Sequence, residues 1–252
     1  MHFRRFWLGL GVTALLFGAL TAAWANHHRA LQTLHVPQTR TATLLLPGDG
    51  GNWLSLRSMT LTLSQPHLAT HARTAHVAQS GRVTWERLAP VAANNPVIPV
   101  LFADNTHPQR EARQLTRVLR ELHDRDHISR VNLVGHSSGG TIALDYLNQA
   151  HPAPVQVTHV VCIGADFPGV QPLRRPEPQL RVLNLAGVIG NLPNDGEVPV
   201  SDAAKLHGLV QGHVASYRLR LVHGQVWQTE HSLLHENATV DRQIARFLYD
   251  PS

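Results

Sequence analysis

The sequence predicts one α/β domain built on a mostly parallel sheet with helices on both faces. Three observations predict it. Short apolar runs recur along the chain with helical patterns between them. One such run, Val131-Asn132-Leu133-Val134, feeds directly into Gly135-His136-Ser137-Ser138-Gly139 and then into a helical pattern, so strand, tight turn and helix follow without a gap. Finally, 252 residues with 43% hydrophobic content suit one sizeable core, and nothing marks a second.

Residues 1–25 read as a signal peptide or membrane anchor. His2, Arg4 and Arg5 precede an apolar stretch from Phe6 to Trp24, and Ala23-Trp24-Ala25 offers a small-x-small cleavage site. Cleaved or kept, this segment is expected to leave Arg4 and Arg5 on the cytoplasmic side and to place the rest at the cell surface or outside. Residues 26–40 are expected to be a polar linker, and residues 41–250 the folded domain. The domain opens with a buried strand at 41–46 that ends in the Gly-rich turn Pro47-Gly48-Asp49-Gly50-Gly51. Alternating residues at 73–87 predict a hairpin turning at Gln79-Ser80-Gly81-Arg82, and 96–102 is another buried strand. The helix that follows is expected to have Thr106 as N-cap, with Gln109 three residues on and an apolar stripe of Ala112, Leu115, Val118, Leu119 and Leu122. Beyond the Gly-x-Ser-x-Gly motif, strands are expected at 157–164, 179–188 and 214–221. A helical pattern occupies 201–210, and a Pro-rich loop 167–178. The last helix should be capped by Asn237 and buried along Val240, Ile244, Phe247 and Leu248.

Composition excludes some classes of function. The net charge is +5, but Lys205 is the only lysine and the arginines are scattered; aromatics are 6%, so neither a basic stripe nor a stacking platform for nucleic acid is present. A basic surface still suits anionic envelope polymers or lipid headgroups. With 18 histidines the charge rises steeply below about pH 6.5. The single cysteine, Cys162, lies in the apolar run His159-Val160-Val161-Cys162-Ile163 and is expected to be a buried structural thiol. His27-His28 and the other histidines lack a ligand framework, so no metal and no cofactor is expected.

The Ser137 hydroxyl is the candidate nucleophile. It needs a histidine to take its proton and a carboxylate to orient that histidine. In a strand-turn-helix architecture of this kind the order is Ser, acid, His, each at the carboxyl end of a strand. Asp195, in Asn194-Asp195-Gly196-Glu197-Val198, is the favoured acid, with Asp166 as the competitor. Of the late histidines, His231 lies where the base belongs; His223 ends a strand and His235 crowds the cap of the last helix. His136 is expected to pack beneath the elbow. Backbone N–H groups of Asp49 and Ser138 are the candidate oxyanion donors.

The chain resembles the exported, often membrane-anchored bacterial α/β-hydrolases described as cell-surface hydrolases of unknown function. The resemblance spans about Leu44 to Leu248. It rests on Asn95-Pro96-Val97-Ile98-Pro99-Val100 before Asp104-Asn105, on Val131 to Gly140, on Asn194-Asp195-Gly196-Glu197-Val198-Pro199, and on His231-Ser232-Leu233-Leu234-His235-Glu236-Asn237. It implies the α/β-hydrolase fold and Ser137, Asp195 and His231 as a catalytic triad. The chain departs from that family at Pro47-Gly48, where His-Gly is usual, and at Ser138, where Met is frequent. The function expected from residues and resemblance together is an exported serine hydrolase cleaving carboxylic esters. The alternatives are an acyltransferase or thioesterase on the same triad and a non-catalytic envelope-binding protein. The short loop at 167–178 suggests an open site for small or surface-displayed esters.

Overall fold

A computed structural model describes Leu31, Leu34 and residues 36–150 and 152–249. The expected signal or anchor segment, residues 1–25, lies outside the described residues, as does most of the linker.

The described chain runs β1 (Ala42–Leu46), α1 (Trp53–Leu63), β2 (Thr70–His71), β3 (Arg73–Val77), β4 (Val83–Arg87) and β5 (Pro96–Phe102). It continues through α2 (Pro108–Asp126), β6 (Arg130–His136), α3 (Ser138–Leu147), β7 (Gln156–Ile163), β8 (Glu177–Ile189), α4 (Val200–Ala203) and α5 (Leu206–Val210). It ends with β9 (Val214–Gly224), α6 (Val226–Thr229), a 3-10 helix (His231–Glu236) and α7 (Ala238–Tyr249). Eight strands lie in the order β4-β3-β5-β1-β6-β7-β8-β9, and the short β2 also pairs with β5. Every pairing is parallel except the β3–β4 hairpin.

The predicted α/β architecture is therefore the one formed, because the central strands are apolar on both sides. All five residues of β1 and six of the seven in β6 are buried, as befits a sheet covered on both faces. One face packs against α2, α3 and α5 through Leu115, Leu119, Ile142, Leu144 and Leu206. The other packs against α1 and α7 through Leu56, Met59, Ile244 and Leu248. Removing one such buried leucine or isoleucine to alanine costs about 2–5 kcal/mol, so each face is a substantial share of a marginal total.

Local chemistry corrects two expectations. The N-cap of α2 is His107, not Thr106: Pro108 takes the first helical position, where its fixed φ fits and its missing N–H is not needed. The Thr106 hydroxyl turns instead to Asp104 (3.0 Å), and the Glu111 carboxylate accepts the His107 N–H (2.7 Å). The helical pattern at 201–210 forms as two short helices, α4 and α5, rather than one. The Asn237 cap appears as expected, its side-chain oxygen accepting the Thr239 N–H at 2.8 Å. Cys162 is buried, and burial pushes its thiol pKa far above the usual range, which leaves it a packing residue.

Candidate active site

Parallel strands deliver all their carboxyl ends to one edge of the sheet, and the candidate residues follow those ends. Ser137 follows β6, Asp195 lies in the turn after β8, and His231 opens the 3-10 helix beyond β9. Ser137 sits at φ 52°, ψ −126°, a conformation that costs a non-glycine residue about 1–3 kcal/mol. Its N–H donates to the Ile163 carbonyl at 2.8 Å, and α3 begins at once with Ser138. The turn is tight enough that a Cβ on Gly135 would lie 2.2 Å from the Gly139 carbonyl carbon, and one on Gly139 would lie 2.5 Å from the Leu46 carbonyl oxygen. Only glycine permits β1, β6 and α3 to meet this closely. The result is a side chain pushed out at the end of the sheet.

Asp195 and His231 form one buried unit. His231 Nδ1 lies 3.0 Å from Asp195 Oδ2, and the His231 N–H donates to the Asp195 carbonyl at 2.8 Å. With Nδ1–H committed to the carboxylate, Nε2 is the nitrogen left to accept a proton. The other Asp195 oxygen accepts the N–H groups of Val198 (2.7 Å) and Glu197 (3.0 Å). Burial would push the Asp195 carboxyl up, but the His231 contact and those two N–H groups outweigh it and hold it below the usual carboxylate value. Gly164 leaves the room for the pair: a Cβ there would meet Asp195 Oδ2 at 2.9 Å and His231 Nδ1 at 3.3 Å.

The rejected alternatives stand elsewhere. Asp166 and His223 are exposed. His235 is buried beneath the site, its ring centroid 4.4 Å from that of His136, which in turn lies 4.8 Å from that of His231. No hydrogen bond joins Ser137 Oγ to His231 among the described residues; the acidic oxygen nearest His231 Nε2 is Glu197 Oε2, at 3.6 Å. A serine-base contact that tightens only when substrate arrives is common in unliganded enzymes.

Two side-chain ties that the sequence reading did not foresee hold this arrangement. His136 Nε2 donates to the His231 carbonyl at 3.0 Å, tying the base loop to the elbow strand. Asn105, three residues past β5, donates from Nδ2 to the Gly48 carbonyl (2.9 Å) and the Gly51 carbonyl (2.7 Å), clamping the Gly-rich turn from within. That turn closes with the Gly51 N–H on the Gly48 carbonyl at 2.9 Å. The N–H groups of Asp49 and Ser138 carry no internal hydrogen bond among the described residues. Asp49 itself is exposed, and its carboxylate acts on buried Glu111, whose pKa rises to about 7, chiefly through burial. A buried Asn105 could have been suspected from the run Asp104-Asn105 after an apolar strand, but nothing in the sequence says which loop it would clamp.

Electrostatics separate the histidines. Burial lowers the His231 pKa, but hydrogen bonding to Asp195 and the charges of Asp195, Glu197 and Glu230 raise it further, to a net position above 6.5. Activity that needs neutral His231 is therefore expected to fall with a single-proton acid limb whose midpoint lies above pH 6.5. Glu197→Gln removes a negative charge beside Nε2 and shifts that limb toward lower pH; a kcat/KM profile unchanged by the substitution contradicts this. Burial, with like-charge effects of His235 and His231, pushes His136 down to about 3. A His whose folded pKa is depressed keeps its stability contribution above the unfolded value near 6.5 and loses it as pH falls below that. At pH 5 the loss is about 2 kcal/mol for His136, and His136→Phe should flatten the pH dependence of urea unfolding between pH 6.5 and 5.

With the geometry in place, the comparisons with known proteins decide the family. The model for the family described as "Alpha/beta hydrolase of unknown function (DUF915)" matches residues 32–177 and 174–251. The chain belongs to that family. It is similar in structure to the lin2722 gene product of Listeria innocua, at TM-score 0.73 and 23% identity over 84% of this chain and 95% of that one. A protein of Lactobacillus plantarum WCFS1 proposed to be a cell surface hydrolase matches at TM-score 0.66 and 18% identity, over 84% of this chain and 90% of that one. At such identities the likeness shows the α/β-hydrolase fold. Among curated proteins none matches the chain. Among the described residues no helix is long and apolar enough to cross a membrane, and no cluster of His, Cys, Asp or Glu could hold a metal ion.

Proposed function

We propose that this α/β hydrolase is an exported serine hydrolase that cleaves carboxylic esters through an acyl-enzyme. The observation that carries the reading is the buried Asp195–His231 pair, bonded at 3.0 Å through Nδ1 so that Nε2 faces no hydrogen-bond donor, at the same edge of the sheet as the strained Ser137. Ser137 Oγ attacks the ester carbonyl while its proton passes to His231 Nε2. The N–H groups of Asp49 and Ser138 receive the oxyanion, and the imidazolium returns the proton to the departing alcohol. Water then repeats the sequence on the acyl-enzyme, releasing the acid and restoring Ser137.

The surroundings favour esters displayed on an apolar surface. Leu54, Leu192, Val226, Trp227 and Leu233 are exposed, Trp227 by 73%, and each stands within a few residues of a candidate site residue. The likeness to a protein proposed to be a cell surface hydrolase agrees with an outward-facing location.

Labelling with a fluorescent fluorophosphonate tests the reading. The wild-type chain is expected to label, and Ser137→Ala and His231→Ala are expected not to. A folded wild-type chain that does not label sinks it in favour of a non-catalytic envelope-binding protein. Labelling accompanied by faster product formation on adding an alcohol or amine acceptor points to acyl transfer.

A further inference from the structure

The edge of the sheet away from the hairpin carries a second concentration of charge. β9 is its outermost strand, and Arg218 and Arg220 stand two residues apart on it, both exposed. The β8–β9 register sets Arg218 beside Leu183 and Arg220 beside Leu185, and Arg181 precedes Leu183 by two, so all three arginines share one face. α7 covers that face and adds Arg246. Together Arg181, Arg218, Arg220 and Arg246 line a cleft of about 240 Å³ completed by Leu183, Gln243 and Phe247, with no carboxylate in its wall. The Arg181 guanidinium lies over the Phe247 ring, 5.5 Å from its centroid, which fixes one corner of the cleft.

Four basic side chains elsewhere are neutralised by a carboxylate. Arg73 pairs with Asp126, Arg110 with Asp104, Arg125 with Glu121 and Lys205 with Asp202. The arginine row of α2 lines a larger hollow, but Glu121 and Asp124 share that wall and Arg117 donates to the Gly81 carbonyl. None of the four cleft arginines has an ion-pair partner among the described residues. Charges on an outer strand discourage edge-to-edge pairing, which accounts for Arg218 and Arg220. It accounts neither for Arg181, on the inner strand, nor for Arg246, on the helix.

We propose that this cleft binds a phosphate group. Guanidinium forks match phosphate oxygens in bidentate pairs, and several forks aimed into one small hollow relieve their mutual repulsion when an anion enters. Its volume lies below the roughly 300 Å³ at which sites for drug-sized ligands begin, so it fits a phosphate ester rather than a bulky anion. It is also remote from the chemistry. Arg181 precedes the carboxyl end of β8 by eight residues and Arg220 that of β9 by four, roughly 26 and 13 Å along strands whose far ends hold Asp195 and His231. The phosphate belongs either to a free phosphate compound or to a lipid headgroup.

Titration calorimetry on the full chain in a neutral detergent tests this, with inorganic pyrophosphate and glycerophosphoglycerol, the deacylated headgroup of phosphatidylglycerol, as probes. Single-site binding of pyrophosphate assigns the cleft to free phosphate compounds, and binding of glycerophosphoglycerol alone assigns it to the headgroup. Arg218→Gln/Arg220→Gln is expected to weaken the binding at least about tenfold. Arg82→Gln/Arg87→Gln removes the same charge from the opposite edge and should change it by less than about twofold, since screened distant charges contribute little. Arg246→Gln, on the helix, gives a second reading that does not depend on how β9 tolerates substitution. Failure of both probes to bind, or equal weakening by both double variants, overturns the proposal.

Discussion

Ser137→Ala and His231→Ala each lower ester turnover by on the order of 10⁴-fold or more, and the double variant is little worse than either alone. In the proposed mechanism the residues act as one device. Without Ser137 no acyl-enzyme can form; without His231 the hydroxyl keeps its proton and is a weak nucleophile. Asp195→Asn belongs to the same set. An amide in place of Oδ2 no longer fixes the tautomer of a His231 whose Nδ1 lies 3.0 Å away, and it leaves the Val198 and Glu197 N–H groups with a weaker acceptor or none. The measurement is kcat for a short-chain p-nitrophenyl ester, beside the thermal unfolding midpoint of each variant. Ser137→Ala should unfold close to wild type because its Cβ and strained backbone are unchanged. Activity within about tenfold of wild type in a folded Ser137→Ala variant removes Ser137 from the mechanism, whereas loss in a variant that is itself unfolded says nothing of chemistry.

Much of this architecture was legible because it is governed by local patterns. The parallel order follows from apolar runs such as those of β1 and β6, buried on both sides. The elbow follows from two glycines flanking a serine between strand and helix. The Asp195 turn and the His231 loop could be placed because chain order and strand ends restrict where an acid and a base can meet. What escaped depends on contacts between segments far apart in sequence. Asn105 reaches back 57 residues to Gly48, and His136 reaches forward 95 to the His231 carbonyl. Polar side chains of that kind look the same in a sequence whether they face solvent or clamp a loop. The cap of α2 escaped for a local reason, since Thr106 and His107 are both plausible until Pro108 and the reach of Glu111 decide between them. The arginine cleft escaped because residues 181, 218, 220 and 246 look scattered along the chain and become neighbours only through the register of β8 with β9 and the seating of α7.

Gly135→Ala tests the frame beneath the serine and should be the most damaging single methyl in the protein. The new Cβ would lie 2.2, 2.3 and 2.4 Å from the carbonyl carbon and oxygen of Gly139 and the nitrogen of Gly140, all backbone atoms. No rotamer change relieves such a clash, so β6 or α3 must move. β6 is held on both sides, with Gly135 beside Leu46 of β1 and Cys162 of β7, and α3 is anchored through Ile142 and Leu144 in the core. The cost should therefore exceed the 1–3 kcal/mol usual for overpacking and reach about 4 kcal/mol or more. For a domain of this size that is a fall of roughly 10 °C or more in the unfolding midpoint. Gly208→Ala makes the matching control. Gly208 lies exposed in α5, and a Cβ there meets nothing within 4 Å, so the same methyl should stabilise the protein by up to about 1 kcal/mol through helix propensity and a less flexible unfolded chain. Thermal unfolding of the two variants side by side decides the matter. Opposite shifts locate the demand for glycine in the approach of strand to helix that presents Ser137, while a Gly135→Ala protein as stable as wild type means that β6 and α3 are not packed as described.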